Sequence, residues 1–435
     1  MTTTTAPTGL GQGVGLDTAR LLPRPSAAHL VNHLARMGSL PYRGRELIVE
    51  VERAGLRGRG GAGFPTATKM EAVRTRGARL LQGRRPIVVA NGTEGEPLSA
   101  KDKTLLVHAP HLVLDGMVAA ARAVGADEAV VCIERNAGSV VHSLERAIEE
   151  RHSLNAGDGI TLRVAETPAR YIAGEETALV NWLNGNDAKP TFTPPRPFER
   201  GVSRRPTLID NVETLAHVAL IARFGAEWWR TAGTETDPGT MLVTLNGVDR
   251  PGVYEVPLGA SLRDVLRNAG AHDVAGVLMG GYFGTWLTPR QAAMVTLSAG
   301  DLKAVRAGLG CGAIAVIDRD ACPLAELARV TRWLASQTAG QCGACANGLP
   351  AIASAVEHVA RGADRDGAAE LAARRWMEMV AGRGACKLPD GVVRVVSSGL
   401  GVFAEHIAKH RADGACAAFD RAPLLPVPGP EASWR

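Results

Sequence analysis

No stretch of this chain stays apolar for the roughly 20 residues that a membrane-crossing helix needs. No dense block of lysine and arginine interrupts it, and the net charge is only +5 over 435 residues. Neither nucleic-acid binding nor direct membrane insertion is therefore expected. The opening residues, MTTTTAPTGLGQGVGL, lack the basic start and apolar core of a signal peptide, and residues 1–35 read as a disordered tail. Seven cysteines, an odd number in a long chain without an export signal, argue against a disulfide framework and for a reducing compartment. These absences leave a soluble, cytoplasmic chain long enough for two to four domains.

What is present is an alternation. RPIVVANG, EAVVCIE and GITLRVAETP read as strands, and KTLLVHAPHLVLDGMVAAARAVGA, AGSVVHSLERAIEERH and EETALVNWLNG read as helices. Strands and helices of these lengths predict an α/β layered domain over 36–228 with mostly parallel strands. Cys132, among Val130, Val131 and Ile133, reads as a small buried residue. The Pro-rich run KPTFTPPRPFERGVSRRPT (189–207) reads as an extended surface loop. MLVTLNGVDRPGVYEVPLGASLRDVLRNAG and then AGVLMGG predict a small α+β module, placed at 238–300. A helical domain is expected over 301–415, although AIAVI inside it reads as a strand, and then a tail over 416–435.

GRGGAG (58–63) matches G-x-G-x-x-G, but a helix rather than a strand precedes it, so the usual dinucleotide fingerprint does not apply. Such a backbone makes either a flexible turn or a close wrap around a flat anionic ligand, with Lys69 near enough in sequence to meet a phosphate. Three polar turns accompany it. ANGTEGEP (90–97) puts Glu94 and Glu96 beyond the carboxyl end of a strand, where open α/β sheets bind ligands. YIAGEETAL (171–179) sets Gly174, Glu175 and Glu176 at a helix start with free backbone donors. LIDNVETLA (208–216) places Asp210, Asn211 and Thr214 at another helix start, where capping alone would account for them. Together they describe a polar, glycine-lined pocket for a phosphorylated ring system.

QCGACANGLP holds Cys342 and Cys345 in a C-x-x-C step, and Cys386 follows in GRGACKLPDG. A cube-shaped iron–sulfur cluster or a structural zinc takes four ligands. A thioredoxin-type redox pair would follow a strand, whereas this motif follows a helix. Zinc held by three cysteines and a water is another reading, without a nearby histidine to support it. Cys322 lies about 20 Å off at 1.5 Å per helical residue. Cys311 reads as a packed small residue, Cys416 as a spare tail cysteine, and Asp390 as a source of an oxygen ligand.

In order, LRGRGGAGFPTATKM, ANGTEGEP, YIAGEETAL, DNVETLA, RPGVYEVPLG and CGAC resemble the FMN-carrying, NADH-oxidising subunit of respiratory complex I. Related flavin subunits occur in NAD-reducing hydrogenases and formate dehydrogenases. The resemblance runs from about Leu56 to the C-terminal tail. It implies an α/β Rossmann-like FMN domain, a small β-grasp module of the soluble-ligand-binding (SLBB) type, and a C-terminal helical bundle holding an iron–sulfur cluster. FMN would lie against Gly58, Arg59, Gly60, Gly61, Gly63, Lys69, Asn91, Gly174, Glu175, Asn211 and Thr214, with Phe64 beside the stacked nicotinamide. Glu94, Glu96 and Glu176 would be the carboxylates near the reacting ring. Hydride would pass from NADH or NADPH to the flavin, and single electrons through the cluster to a ferredoxin or a thioredoxin-like cluster subunit.

The chain departs from that pattern in four places. Thr93 stands where the family has Asp, and Asp210 where it has Asn. Thr193–Arg196 replaces a Lys-Pro-Pro-Phe run, and an arginine near the adenosine ribose suits a 2′-phosphate, so NADPH is expected to serve at least as well as NADH. The family cluster motif is C-x-x-C-x-x-C with a later fourth cysteine. Cys342, Cys345 and Cys386 match it, but Gly348 holds the third position. The resemblance thus implies a three-cysteine cluster, with an empty site as its rival. The corresponding alternative to an oxidoreductase is a non-catalytic scaffold whose MGGYFGTW turn (279–286) binds a ligand.

Overall fold

Four apolar runs, Ile87–Asn91 (β1), Glu128–Glu134 (β2), Thr161–Thr167 (β3) and Thr207–Asn211 (β4), pair in an all-parallel sheet of order β3-β2-β1-β4. The computed structural model that shows them describes residues 20–22, 26–79, 84–154, 159–429 and 433–435. Parallel sheets are covered on both faces, which is why β1 and β2 carry continuous rather than alternating apolar residues. Around this sheet lie α1 (Leu30–Met37), α2 (Glu46–Ala54), α3 (Thr66–Ala78), α4 (Lys101–His108), α5 (Pro110–Val124), α6 (Gly138–Ser153), α7 (Glu176–Leu183), α8 (Pro197–Arg200) and α9 (Val212–Arg230). Cys132 is fully buried in β2, as its neighbours predict, and burial pushes its thiol up to about 12.

A second sheet has order β6-β5-β9-β7-β8. Its strands are Thr240–Asn246 (β5), Gly252–Pro257 (β6), Val274–Met279 (β7), Thr285–Leu287 (β8) and Ala313–Asp318 (β9), with α10 (Leu262–Asn268), α11 (Pro289–Met294) and α12 (Ala299–Ala304) between them. β5 pairs antiparallel with β6 and parallel with β9, the mixed pattern of a β-grasp. The module therefore does not end at residue 300. The apolar AIAVI segment assigned above to the helical part is buried between β5 and β7, where a two-sided apolar strand belongs.

The remaining helices, α13 (Pro323–Ser336), α14 (Leu349–Ala360), α15 (Ala368–Val380), α16 (Leu388–Val402) and α17 (Ala404–Asp413), share one apolar core with Tyr282 and Trp286 of the β-grasp module. Among the described residues no single helix is long and apolar enough to cross a membrane.

Both tails need correction where they are described. Arg20 donates to the Trp229 carbonyl at 2.8 Å, Leu21 and Leu22 are buried, and α1 starts at Leu30 with His33 2.7 Å from Asp115 in the interior. Buried apolar and ion-pairing groups order a segment that reads as polar from its first residues alone. The rest of the expected tail, 1–19 and 23–25, lies outside the described residues. At the other end Leu425 is buried and the Pro426 carbonyl accepts the Tyr282 hydroxyl at 2.6 Å.

Candidate functional site

A cleft of about 1040 Å³ opens at the carboxyl ends of β1 and β4. That is the end of an open parallel sheet where ligands bind. One wall is the glycine loop: Gly58, Gly60, Gly61, Gly63 and Phe64 all line it, with Lys69 from α3. Gly61 and Gly63 have φ of 115° and 61°, and nothing lies within 4 Å of the place a Cβ on Gly63 would take. The loop is thus a backbone cradle facing open space. Phe64, 49% exposed, stands at the lip as a free aromatic face. Arg59 is the exception among the expected residues. Its guanidinium turns out of the cleft and donates to the Thr240 carbonyl at 3.1 Å, while its backbone N–H meets Thr214 Oγ1 at 2.8 Å.

The floor comes from the turns after β1 and β4 and the start of α7. Asn91, Glu94, Glu96, Gly174, Glu175, Glu176, Asn211 and Thr214 all line the cleft. Most of their side chains are already engaged in shaping it. Glu94 accepts from Ser99 Oγ at 2.5 Å and from the N–H groups of Asp102 and Lys103 at 3.0 Å each, so it caps α4. Glu175 caps α7 through the N–H groups of Thr177 and Ala178, and burial raises its pKa against those bonds. Asn211 caps α9, and its amide also donates to Asp102 at 2.7 Å. Asn91 donates to the Gly174 carbonyl at 2.8 Å and accepts the Thr93 hydroxyl, so Thr93 is folded back onto the turn. Lys69 donates to the Ile209 carbonyl at 2.7 Å and lies 3.5 Å from Asp210. Glu176, in the first turn of α7, is the expected carboxylate that stands at the wall half-buried.

Glu96 differs from the capping carboxylates. It is half-buried, accepts the Tyr171 hydroxyl at 2.9 Å and the Tyr282 N–H at 2.8 Å, and burial pushes it up to about 7 against those bonds. The MGGYFGTW turn therefore folds onto this cleft, with Gly280, Phe283, Gly284 and Thr285 in its lining, and is not a separate site.

Sequence reading missed several groups. In the floor itself Lys101 is buried, 2.7 Å from Asp102 and 2.9 Å from Glu213, and those two carboxylates hold its pKa above the ordinary value despite burial. A lysine opening a helix opposes the helix dipole, and that misfit was a signal for a buried partner. Lys303, Arg306, Lys387 and Arg394 bring four cations to the lining from three separate segments, which no single motif announces. The Pro-rich residues Thr193–Arg196 do not line the cleft; Arg196 is exposed and opens α8, and Phe192 is 85% exposed.

The far wall holds Cys386, Leu388 and Gly391. The charges of Cys342 and Cys386 both act on Cys345, so the three sulfurs share one neighbourhood. Burial raises Cys345 to about 12 and also raises Cys386. Burial acts the same way on Cys342, but N–H groups including those of Ala385 and Cys345 outweigh it and lower this thiol. Gly348 is buried, and a Cβ built on it lands on Val380 Cγ1. Asp390 is committed elsewhere, accepting from the Gly382 N–H at 2.7 Å and pairing with Lys387 at 3.2 Å.

Two observations test whether a flavin mononucleotide suits the cleft. The cradle has room that only glycine leaves, and Asp210 Oδ2 is buried in the lining without a hydrogen-bond partner, an acceptor awaiting a donor. The residues fit.

Comparison with known proteins agrees with this geometry. The Nuo51 FMN-binding domain matches residues 51–220, and the NADH-ubiquinone oxidoreductase-F iron-sulfur binding region matches residues 325–410. The chain is thus of the class that joins an FMN-binding domain to an iron–sulfur-binding region. It is 31% identical over 393 residues to an F-type NADH-quinone oxidoreductase subunit of Rhizobium meliloti (strain 1021), covering 86% of this chain and 91% of that one. The corresponding NADH-quinone oxidoreductase subunit of Mycobacterium tuberculosis (strain ATCC 25618 / H37Rv) is 31% identical over 404 residues, 89% of each chain. The crystal structure of an NAD+-reducing NiFe-hydrogenase in the H2-reduced state matches with a TM-score of 0.77 and 33% identity. That match covers 84% of this chain and 62% of the hydrogenase chain, so the present chain spans less than two thirds of its length. This chain belongs to the NADH-quinone oxidoreductase-F family.

Proposed function

We propose that this chain is a flavin-dependent NAD(P)H dehydrogenase subunit that takes a hydride from the nicotinamide in the β1/β4 cleft and hands single electrons to an iron–sulfur partner. The observation that carries the reading is the lining of that cleft, which runs from the glycine cradle to Cys386 of the cluster motif. Donor site and exit face one another across the same cleft. FMN, when bound, supplies a two-electron acceptor that releases its electrons one at a time.

The chain's own residues do the rest. Gly60, Gly61 and Gly63 let the backbone close on a flat ring, and Phe64 offers a stacking face at the lip. Lys303, Arg306, Lys387 and Arg394 favour the phosphates of a dinucleotide entering from that side. Glu96, poised near neutrality, holds or yields a proton beside the ring. Cys342, Cys345 and Cys386 would hold a three-cysteine cluster, and the packing of Val380 over Gly348 explains why a fourth cysteine is dispensed with. The same closure is what a non-catalytic scaffold with an empty cluster site would carry. The natural acceptor is a ferredoxin or a thioredoxin-like cluster subunit in the cytoplasm. Use of NADPH at least as well as NADH rests on the sequence of Thr193–Arg196 alone, since that run does not line the cleft.

The test is the absorbance spectrum of anaerobically purified protein, read before and after NADH and then NADPH. A flavin band that bleaches with either nucleotide is expected, and the faster one names the donor. A flavin that stays oxidised with both would leave the scaffold reading in possession.

A further inference from the structure

Outside the cleft, four side chains of metal-binding type meet at the opposite end of the helical region. Cys322 caps α13 and is 2% exposed. Its Sγ lies 3.8 Å from Nε2 of His406 and 3.8 Å from Nε2 of His410, which sit one turn apart on α17. Cys416 follows that helix, and one ligand atom from each of the four residues falls within 4.8 Å of all the others. In a tetrahedral zinc site with Zn–S near 2.3 Å and Zn–N near 2.0 Å, a sulfur and a nitrogen stand about 3.6 Å apart. The observed spacing is within a few tenths of that.

One of the two rings is also held in the tautomer a metal needs. His410 Nδ1 is 2.7 Å from the carbonyl of Ala360, and a carbonyl only accepts, so the ring proton sits on Nδ1 and Nε2 keeps its lone pair. At present Nε2 accepts the Cys416 N–H at 3.1 Å, a bond that a metal ion would replace. Two thiolates would neutralise a divalent ion, which suits a site whose Cys322 and His410 are buried. His406-x-x-x-His410 on one helix, with a cysteine on each side in sequence, is a two-sulfur, two-nitrogen set, and such sets select zinc.

We propose that Cys322, His406, His410 and Cys416 bind one structural zinc ion that clasps the end of the chain to the start of the helical region. Cys416 is then a ligand and no spare cysteine. The clasp holds the segment beyond it, where Glu326 accepts the N–H groups of Leu424 and Leu425 at 3.1 Å each and Trp333 Nε1 donates to the Pro428 carbonyl at 2.7 Å.

The experiment is elemental analysis of the full chain, purified under reducing conditions, with zinc and iron counted separately. About one zinc per chain is expected. His406→Ala and Cys416→Ser, both at partly exposed positions, should each weaken zinc binding by about tenfold or more while iron content stays unchanged. Because a variant can fail to fold, the native chain stripped of zinc is also titrated with Co2+. Ligand-field bands of tetrahedral Co2+ with a thiolate charge-transfer band are expected, and zinc should abolish them. A native chain that takes up neither zinc nor Co2+ in this geometry overturns the proposal. So does a Cys322–Cys416 disulfide in place of the metal, or zinc that persists unchanged in both variants.

Discussion

Glu96 is the residue whose protonation the fold alters most usefully. Its carboxyl titrates near 7, against an ordinary value of 4.5, because burial outweighs its hydrogen bonds to Tyr282, Leu98 and Tyr171. An acid raised in this way is protonated in the folded chain while the unfolded chain has already lost its proton. Stability should therefore fall by about 3 kcal/mol as pH rises from about 4.5 to about 7, and level off above. Glu96→Gln removes that slope, and the difference between the two proteins in urea midpoint against pH measures it. An identical pH profile for both would mean that the carboxyl is solvated after all. The glycine loop and the three polar turns were legible as the lining of one pocket because each is local: a few adjacent residues set the backbone. The roles of Glu94, Glu175 and Asn211 as caps, and the Lys101–Glu213 pair beside them, were less so. Lys101 meets Asn211 from 110 residues away, and no spacing within a motif reports that.

At the scale of elements, the packing of α15 on the turn before α14 decides what the cysteine motif can hold. Val380, near the end of α15, occupies the place a side chain on residue 348 would need. Gly348→Cys alone should overpack this contact and cost about 1–3 kcal/mol without adding iron. Gly348→Cys with Val380→Ala clears the space and should raise the iron bound per chain, read by iron and sulfide analysis of both proteins. An unchanged iron count in the double variant would show that the cluster does not reach position 348. Periodicity gave α13 and the α/β alternation because each buries one continuous stripe or run. It read β9 as a strand but left it outside the module, since a short apolar run belongs to whichever sheet has a vacancy, and here that lay between β5 and β7, two strands that both come earlier in the sequence.

For the whole molecule, the cleft is a joint product of all three folded parts: glycine loop and turns from the parallel sheet, Phe283 and Thr285 from the β-grasp, and Cys386 and Arg394 from the helices. The last described residues secure that joint through Tyr282, Trp333 and Glu326. Removing residues 424–435 should lower the melting temperature by several degrees and weaken FMN retention on gel filtration, through the lost Leu425 burial and the loss of two N–H donors to the buried Glu326. Full retention in the shortened chain would show that the tail only rests on the surface. The cleft's three-part wall also dictates an order of manufacture. A chain leaves the ribosome from its N-terminus, and the glycine loop emerges more than 300 residues before Cys386 does. The nascent sheet can fold early, but its ligand chamber stays open on one side until the helices arrive. A chain ended before the helices would therefore leave this chamber without the wall that holds Cys386 and Arg394.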